Sequence, residues 1–255
     1  MYVRAVVLLD GSQTSEVILK FVPAVVCSLG LSDVILLRAF QGGDGGDSQE
    51  TGAGSLYLKE RMERLQQEWP SDACTMPKLS THVISGGGRD VAGAVSAYVA
   101  DSRADLMMIS TYGWSGSDWW SSGGTDERVI KESRVPVFVY RIAGGRHKWP
   151  RTFRKAVVGL DGSALAESVL DTVRHLSKQA GTGLTLVHCV QPGQSSSRHV
   201  QPPFASGKDA ESYLANVVAG LQEAGVEAST SIRRGHPGQQ IADAANDERA
   251  DLVVV

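Results

Sequence analysis

Val6-Val7-Leu8-Leu9-Asp10-Gly11-Ser12 and Val157-Val158-Gly159-Leu160-Asp161-Gly162-Ser163 are one phrase written twice in this chain. The echo continues in Glu16-Val17-Ile18-Leu19 and Glu167-Ser168-Val169-Leu170. In each copy a short apolar run ends in Asp-Gly-Ser and passes into helix-compatible residues. An apolar run bounded by a turn signal predicts a strand buried on both faces. The Asp and Ser can cap the next helix while Gly takes the tight turn between them. A strand that passes into a helix this way opens a βαβ unit, so the chain reads as two such units laid end to end.

Working outward, residues 4–9 form the first predicted strand. Residues 14–29 carry Val17, Ile18, Phe21, Val22, Val25 and Val26 at helical spacing, with Pro23 as a kink and Gly30 as the left-handed stop. A second strand spans 34–40. Residues 41–54, with glycines at 42, 43, 45, 46, 52 and 54, read as a mobile surface loop, a plain insertion sooner than a nucleotide cradle. A helix over 56–69, a strand over 79–84, a helix over 90–101 and a strand over 105–110 follow. After a Gly-, Ser- and Trp-rich stretch over 111–124, a helix begins near Thr125 and a fifth strand covers 135–140. That alternation predicts a five-stranded parallel sheet with helices on both faces.

Residues 144–152 read as a linker between a domain over 1–143 and a second over 153–255. The second copy repeats the order: a helix to 176, a strand over 184–188, a loose loop over 191–207, a helix over 213–221, a strand over 227–232 and a helix over 239–246. Asp101-Ser102-Arg103-Ala104-Asp105-Leu106 returns as Asp247-Glu248-Arg249-Ala250-Asp251-Leu252. The sequence reaches Val255 where the first copy goes on into its Gly-rich stretch. The expectation is therefore an α/β protein of two tandem doubly wound, Rossmann-like domains with five-stranded parallel sheets. The second is incomplete at its C-terminus, lacking the phosphate loop and last strand, and the two halves pack as an internal pseudo-dimer.

Composition narrows the function classes. At 255 residues, 42% hydrophobic and 21% charged, the chain has the make-up of one or two soluble globular domains. A net charge of −3 offers no basic surface for nucleic acid or an anionic membrane. Cys27, Cys74 and Cys189 are odd in number, far apart and without a Cys-x-x-Cys pair, which reads as reduced thiols of a cytoplasmic protein. No run of 18 apolar residues occurs, and the chain enters a strand at once, so a soluble intracellular protein is expected.

Ligands of an open parallel sheet bind beyond the carboxyl ends of its strands, where strand order reverses. Asp10 ends the first strand, and Ser110 opens the Gly-rich stretch after the fourth. A carboxylate there can accept from a ribose hydroxyl or an adenine amine. The backbone amides and the helix N-terminus suit phosphate, and Gly113, Gly116, Gly123 and Gly124 permit close approach. The histidines show no metal-ligand spacing, and there is neither a nucleophile elbow nor a Gly-Lys-Ser/Thr loop. Nothing assembles a nucleophile, a base and an orienting group. No catalytic residue and no metal ligand is expected.

On the paired Leu-Asp-Gly-Ser openings, Ala104-Asp105-Leu106 and the stretch over 110–140, the chain resembles the universal stress protein family in its tandem form. The family's nucleotide-binding members carry Gly-x-x-Gly, nine residues, then Gly-Ser or Gly-Thr. Here the match is Ser110-Thr111-Tyr112-Gly113, nine residues, then Gly123-Gly124. The resemblance implies an adenine-nucleotide α-hydrolase-like fold and a cytoplasmic stress-response regulator acting by binding. It implies ATP or AMP, with Mg²⁺, as regulatory ligand at Leu8, Leu9, Asp10, Ala39, Ile109, Ser110, Tyr112, Gly113, Gly123, Gly124 and Thr125. An unidentified protein partner and a homodimer are further expectations. Ser110, Tyr112 and Gly124 depart from the family pattern, Trp114 and Trp119 stand where relatives often have Arg, and Asp118 adds a negative charge. Those departures favour, as an alternative, an interaction module that binds no nucleotide; behind it stands a slow ATP hydrolase, which the resemblance implies only because ATP-bound family members sometimes turn the nucleotide over.

Overall fold

The structure, a computed structural model, describes residues 2–42, 47–86, 90–112, 125–142, 150–190 and 207–255; for residues 47, 48, 112, 125, 126, 207 and 208 only the backbone is described. The chain divides into two compact units, Met1–Arg151 and Thr152–Val255. Unit 1 runs β1 (Arg4–Leu8), α1 (Gln13–Glu16), a 3₁₀ turn (Val17–Phe21), α2 (Val22–Leu29), β2 (Asp33–Phe40), α3 (Asp47–Gln67), β3 (Lys78–Ser85), α4 (Val91–Asp101), β4 (Leu106–Tyr112), α5 (Thr125–Glu132) and β5 (Val137–Ile142). Its strands are all parallel, in the order β3-β2-β1-β4-β5. Unit 2 runs β6 (Lys155–Gly159), α6 (Ala164–Glu167), α7 (Leu170–Ala180), β7 (Gly183–Val190), α8 (Gly207–Glu223), β8 (Ala228–Arg234), α9 (Pro237–Glu248) and β9 (Leu252–Val254). Its four described strands are parallel in the order β8-β7-β6-β9, so the second sheet is the smaller.

The period-2 alternation of a strand sorts its side chains to the two faces. Val6, Ile35, Leu37, Met107 and Ile109 pack with Ala92, Val95 and Val99 of α4 and Val129 of α5. In unit 2, Ala156, Val158, Leu184 and Leu186 pack with Val173 of α7 and Leu214 and Leu221 of α8. The repeated Ala-Asp-Leu has a structural purpose. Asp105 Oδ2 accepts from the backbone N–H of Val3 (2.8 Å) and Arg4 (2.9 Å), which fastens the start of β1 to the start of β4. Asp251 Oδ2 does the same for Arg154 (2.8 Å) and Lys155 (3.3 Å).

Three expectations are corrected. The helix over 14–29 is not continuous: it tightens to 3₁₀ over Val17–Phe21 and resumes with Pro23 in the first turn of α2. A break also falls at Ser168–Val169 between α6 and α7, where no proline stands, so the bend belongs to the fold and Pro23 is seated where a missing N–H costs little. The loop over 41–54 is shorter than expected, since α3 begins at Asp47 and holds both Gly52 and Gly54. A Cβ on Gly54 would meet Val83 at 3.2 Å, so this glycine lets α3 lie close on the sheet.

The third correction concerns the thiols. Cys27 and Cys74 form a disulfide, with Cα atoms 5.4 Å apart, and only Cys189 is free. Parity and spacing missed it because the pairing depends on topology: α2 and the turn after α3 meet although 47 residues separate them.

Candidate functional site

At the carboxyl end of β1 the chain turns through Asp10-Gly11-Ser12, and Gly11 takes φ +91°, a conformation that L side chains rarely adopt. Asp10 Oδ1 accepts from the Ser12 N–H (2.7 Å), and Ser12 Oγ caps α1 by accepting from the Ser15 N–H (3.0 Å). Ser15 Oγ in turn accepts from the Asp10 N–H (3.2 Å). Partial burial pushes the Asp10 carboxyl pKa up. The Ser12 and Ser15 hydroxyls and the Ser12 N–H outweigh it, and the group lies below the ordinary aspartate range. The carboxylate is thus ionised, exposed and held in one orientation.

β1 and β4 are neighbours at the point where strand order reverses. Their register pairs Val7 with Met108, and continuing it sets Leu9 beside Ser110. Ser110 is buried and its hydroxyl donates to Thr14 O (2.6 Å) and Ser15 O (3.1 Å). It therefore latches the start of α1 to the end of β4. Leu9 and Ile109 are buried, and Leu8 and Ala39 pack against the α4 side of the sheet, so what they can offer a ligand is backbone. Tyr112 is the last residue of β4 and Thr125 the first of α5. Gly113, Gly123 and Gly124 lie outside the described residues. The structure thus brings together Asp10, Ser110 and the ends of β1, β2 and β4.

It also places four residues that the sequence reading left out of the site. Arg38, one residue past the β2 partner of Leu8, lies against the turn, with its Cζ 3.7 Å from a Cβ built on Gly11. Its guanidinium rests on the Tyr57 ring, 5.3 Å from the centroid, and that of Arg61 lies 5.4 Å from the same centroid. Tyr57 donates to Glu16 Oε1 (3.1 Å), and Arg61 pairs with Glu16 Oε2 (2.9 Å). Burial first, then the Glu16 carboxylate, pushes the Tyr57 hydroxyl pKa strongly up, so it stays a donor.

Unit 2 repeats the frame. Asp161 Oδ1 accepts from the Ser163 N–H (2.8 Å), and Ser163 Oγ caps α6 by accepting from the Ala166 N–H (3.1 Å). Tyr213 faces Glu167, which stands where Glu16 does, and burial followed by that carboxylate raises its pKa. The position of Arg38 is taken by His188, buried, with Nδ1 2.8 Å from Leu160 O and its ring 6.2 Å from that of Tyr213. A signal for the tyrosines was present: Tyr57-Leu58 and Tyr213-Leu214 are the same dipeptide in matching helices. Among the described residues no group of three or more His, Cys, Asp or Glu is set to hold a metal, and no helix is long and apolar enough to cross a membrane.

Comparison with known proteins fits this geometry. A model of the universal stress protein family matches residues 152–255. The universal stress protein Sll1388 of Synechocystis is 30% identical over 120 residues, 40% of this chain and 77% of that protein. Among solved structures, a universal stress protein from Archaeoglobus fulgidus superposes with a TM-score of 0.69 at 15% identity, over 98% of this chain and 85% of that one. A functionally unknown protein from Pseudomonas aeruginosa gives 0.62 at 15% identity, over 98% and 80%. At such identities the solved structures speak for the fold alone.

Proposed function

The chain belongs to the universal stress protein family, and on that premise we propose that unit 1 binds an adenine nucleotide, ATP or AMP, as a regulatory ligand. The observation that carries this is the Asp10 carboxylate, exposed and ionised at the strand-order reversal. An ionised carboxylate has lone pairs for a ribose hydroxyl beyond the one held by Ser12. The backbone of Leu9, Ala39 and Ile109 frames the base, and the phosphates run past the Gly11 turn toward the first turn of α5. Mg²⁺ enters with the phosphates.

The protein acts by binding: nucleotide favours the form in which α1, held by Ser110 and Asp10, is fixed to the end of β4, and partners read that form. At 100 times its Kd, Mg·ATP stabilises unit 1 by about 2.7 kcal/mol, which thermal denaturation registers. Asp10→Ala removes the shift. An unchanged melting curve at saturating ATP overturns the reading. Steady phosphate release that Asp10→Ala abolishes would replace it by a nucleotide hydrolase.

A second reading, an interaction module without nucleotide, has one observation in its favour. Residues 111–124 contain Trp114, Trp119, Trp120 and Asp118 but no Lys or Arg. Its mark is a partner interaction that ATP and Asp10→Ala leave untouched.

A further inference from the structure

The sequence over 111–124 holds no Lys or Arg to pair with the phosphates of a nucleotide seated at Asp10. Two cations near this end of the unit 1 sheet are matched to carboxylates: Arg61 to Glu16 at 2.9 Å, and Arg128 to Asp90 at 2.8 Å and Glu132 at 3.2 Å. Arg38 differs. Its guanidinium is half-buried, lies over the Gly11 turn and rests on the Tyr57 ring. Among the described residues it has no hydrogen bond and no ion pair.

A guanidinium presents five donors in a planar fork that fits phosphate oxygens, and an aromatic face satisfies none of them. Ring contact leaves the group charged, partly stripped of water and held in position.

The second unit shows that the frame does not itself require this. The Asp-Gly-Ser turn, the glutamate six residues after the aspartate and the helix tyrosine recur there. His188 at the matching strand position is instead spent on Leu160 O. One copy of the frame holds a buried histidine; the other presents, over the glycine that follows an ionised aspartate, a cation with no hydrogen bond or ion pair among the described residues.

We propose that Arg38 is an anion-binding residue of unit 1, pairing with a phosphoryl group of the ligand held by Asp10, with Tyr57 as the positioning residue that keeps its guanidinium over Gly11. Asp10 and Arg38 then divide the ligand between them, the carboxylate taking a hydroxyl and the guanidinium a phosphate. The inference rests on the nucleotide reading for the identity of the ligand, but not for the anion site itself.

The test is calorimetric titration of the full chain with adenosine, Mg·ATP and inorganic pyrophosphate, in the wild type, Arg38→Ala and Arg38→Lys. Loss of a charge-assisted pair corresponds to roughly a 10- to 100-fold weakening. The expected result is that loss for Mg·ATP and pyrophosphate in Arg38→Ala, with adenosine unchanged and partial recovery in Arg38→Lys. Tyr57→Leu should weaken the phosphate ligands alone, while Tyr57→Phe, which keeps the ring, should hold most of the affinity. Pyrophosphate that binds through Arg38 while neither nucleotide nor adenosine binds would keep the anion site and remove the nucleotide reading. Mg·ATP binding that Arg38→Ala leaves unchanged overturns the proposal and spares that reading. Absence of binding by both phosphate ligands to the wild type overturns it as well.

Discussion

Asp10 and Asp105 stand at opposite ends of the central strands, and their hydrogen bonds give them opposite tasks. Asp105 spends one oxygen on two backbone N–H groups, of Val3 and Arg4, and so fixes where β1 begins. Asp105→Ala should cost unit 1 about 1–3 kcal/mol, because two backbone donors lose a charged acceptor; denaturant unfolding measures this, and an unchanged midpoint would contradict it. Asp10 takes the Ser12 N–H on one oxygen, has the Ser12 and Ser15 hydroxyls close by, and remains exposed. Its folded pKa lies below the ordinary value of about 3.9, so its contribution to stability is present above that pH and lost as pH falls through the folded pKa. Its hold on a ligand hydroxyl should likewise be flat from about pH 5 to 8. An affinity whose dependence on Asp10 titrates near neutrality would show that another group carries the contact. The repetition of both aspartates was plain in the sequence. Their division of labour was not, because a motif records which residue recurs and not which neighbour it touches.

The helices on the Asp10 side of the sheet are joined twice. Glu16 on α1 meets Tyr57 and Arg61 on α3, and Cys27 on α2 is bonded to Cys74 beyond α3. In the chain-entropy account a link across 47 residues restricts the unfolded chain by about 4 kcal/mol. Cys27→Ser should therefore lower the stability of unit 1 by up to that amount, and thiol reductant should lower it equally. Hydrogen exchange should show the loss in α2 and β3 with unit 2 unaffected; equal loss in both units would refute that assignment. Gly54→Val should cost about 1–3 kcal/mol by driving α3 off Val83, whereas Gly52→Ala, with nothing within 4 Å, should raise stability through helix propensity. Strand and helix order could be read from periodicity because apolar runs and stripes are local. The start of α3 was misread because Gly52 and Gly54 look like loop residues until the sheet beneath Gly54 is known. The disulfide escaped for the same reason, being a contact between distant segments.

Across the whole molecule, one frame is used twice with different endings. Both units place Asp-Gly-Ser at the carboxyl end of the central strand and a glutamate–tyrosine contact beside it. Arg38, resting on the Tyr57 ring, stands in the first where His188, with Nδ1 2.8 Å from Leu160 O, stands in the second. The parallel α/β architecture followed from two repeated phrases, and it places Asp10 at the reversal of strand order without further assumption. Arg38 and Tyr57 could not be found that way, since neither belongs to a motif and only the folded crossover sets one on the other. The most direct measurement is isothermal titration of Mg·ATP into the full chain beside its Asp10→Ala variant. The account predicts one micromolar site per chain, weakened at least tenfold in Asp10→Ala; no heat at millimolar ATP, or equal affinity in the two proteins, would contradict it.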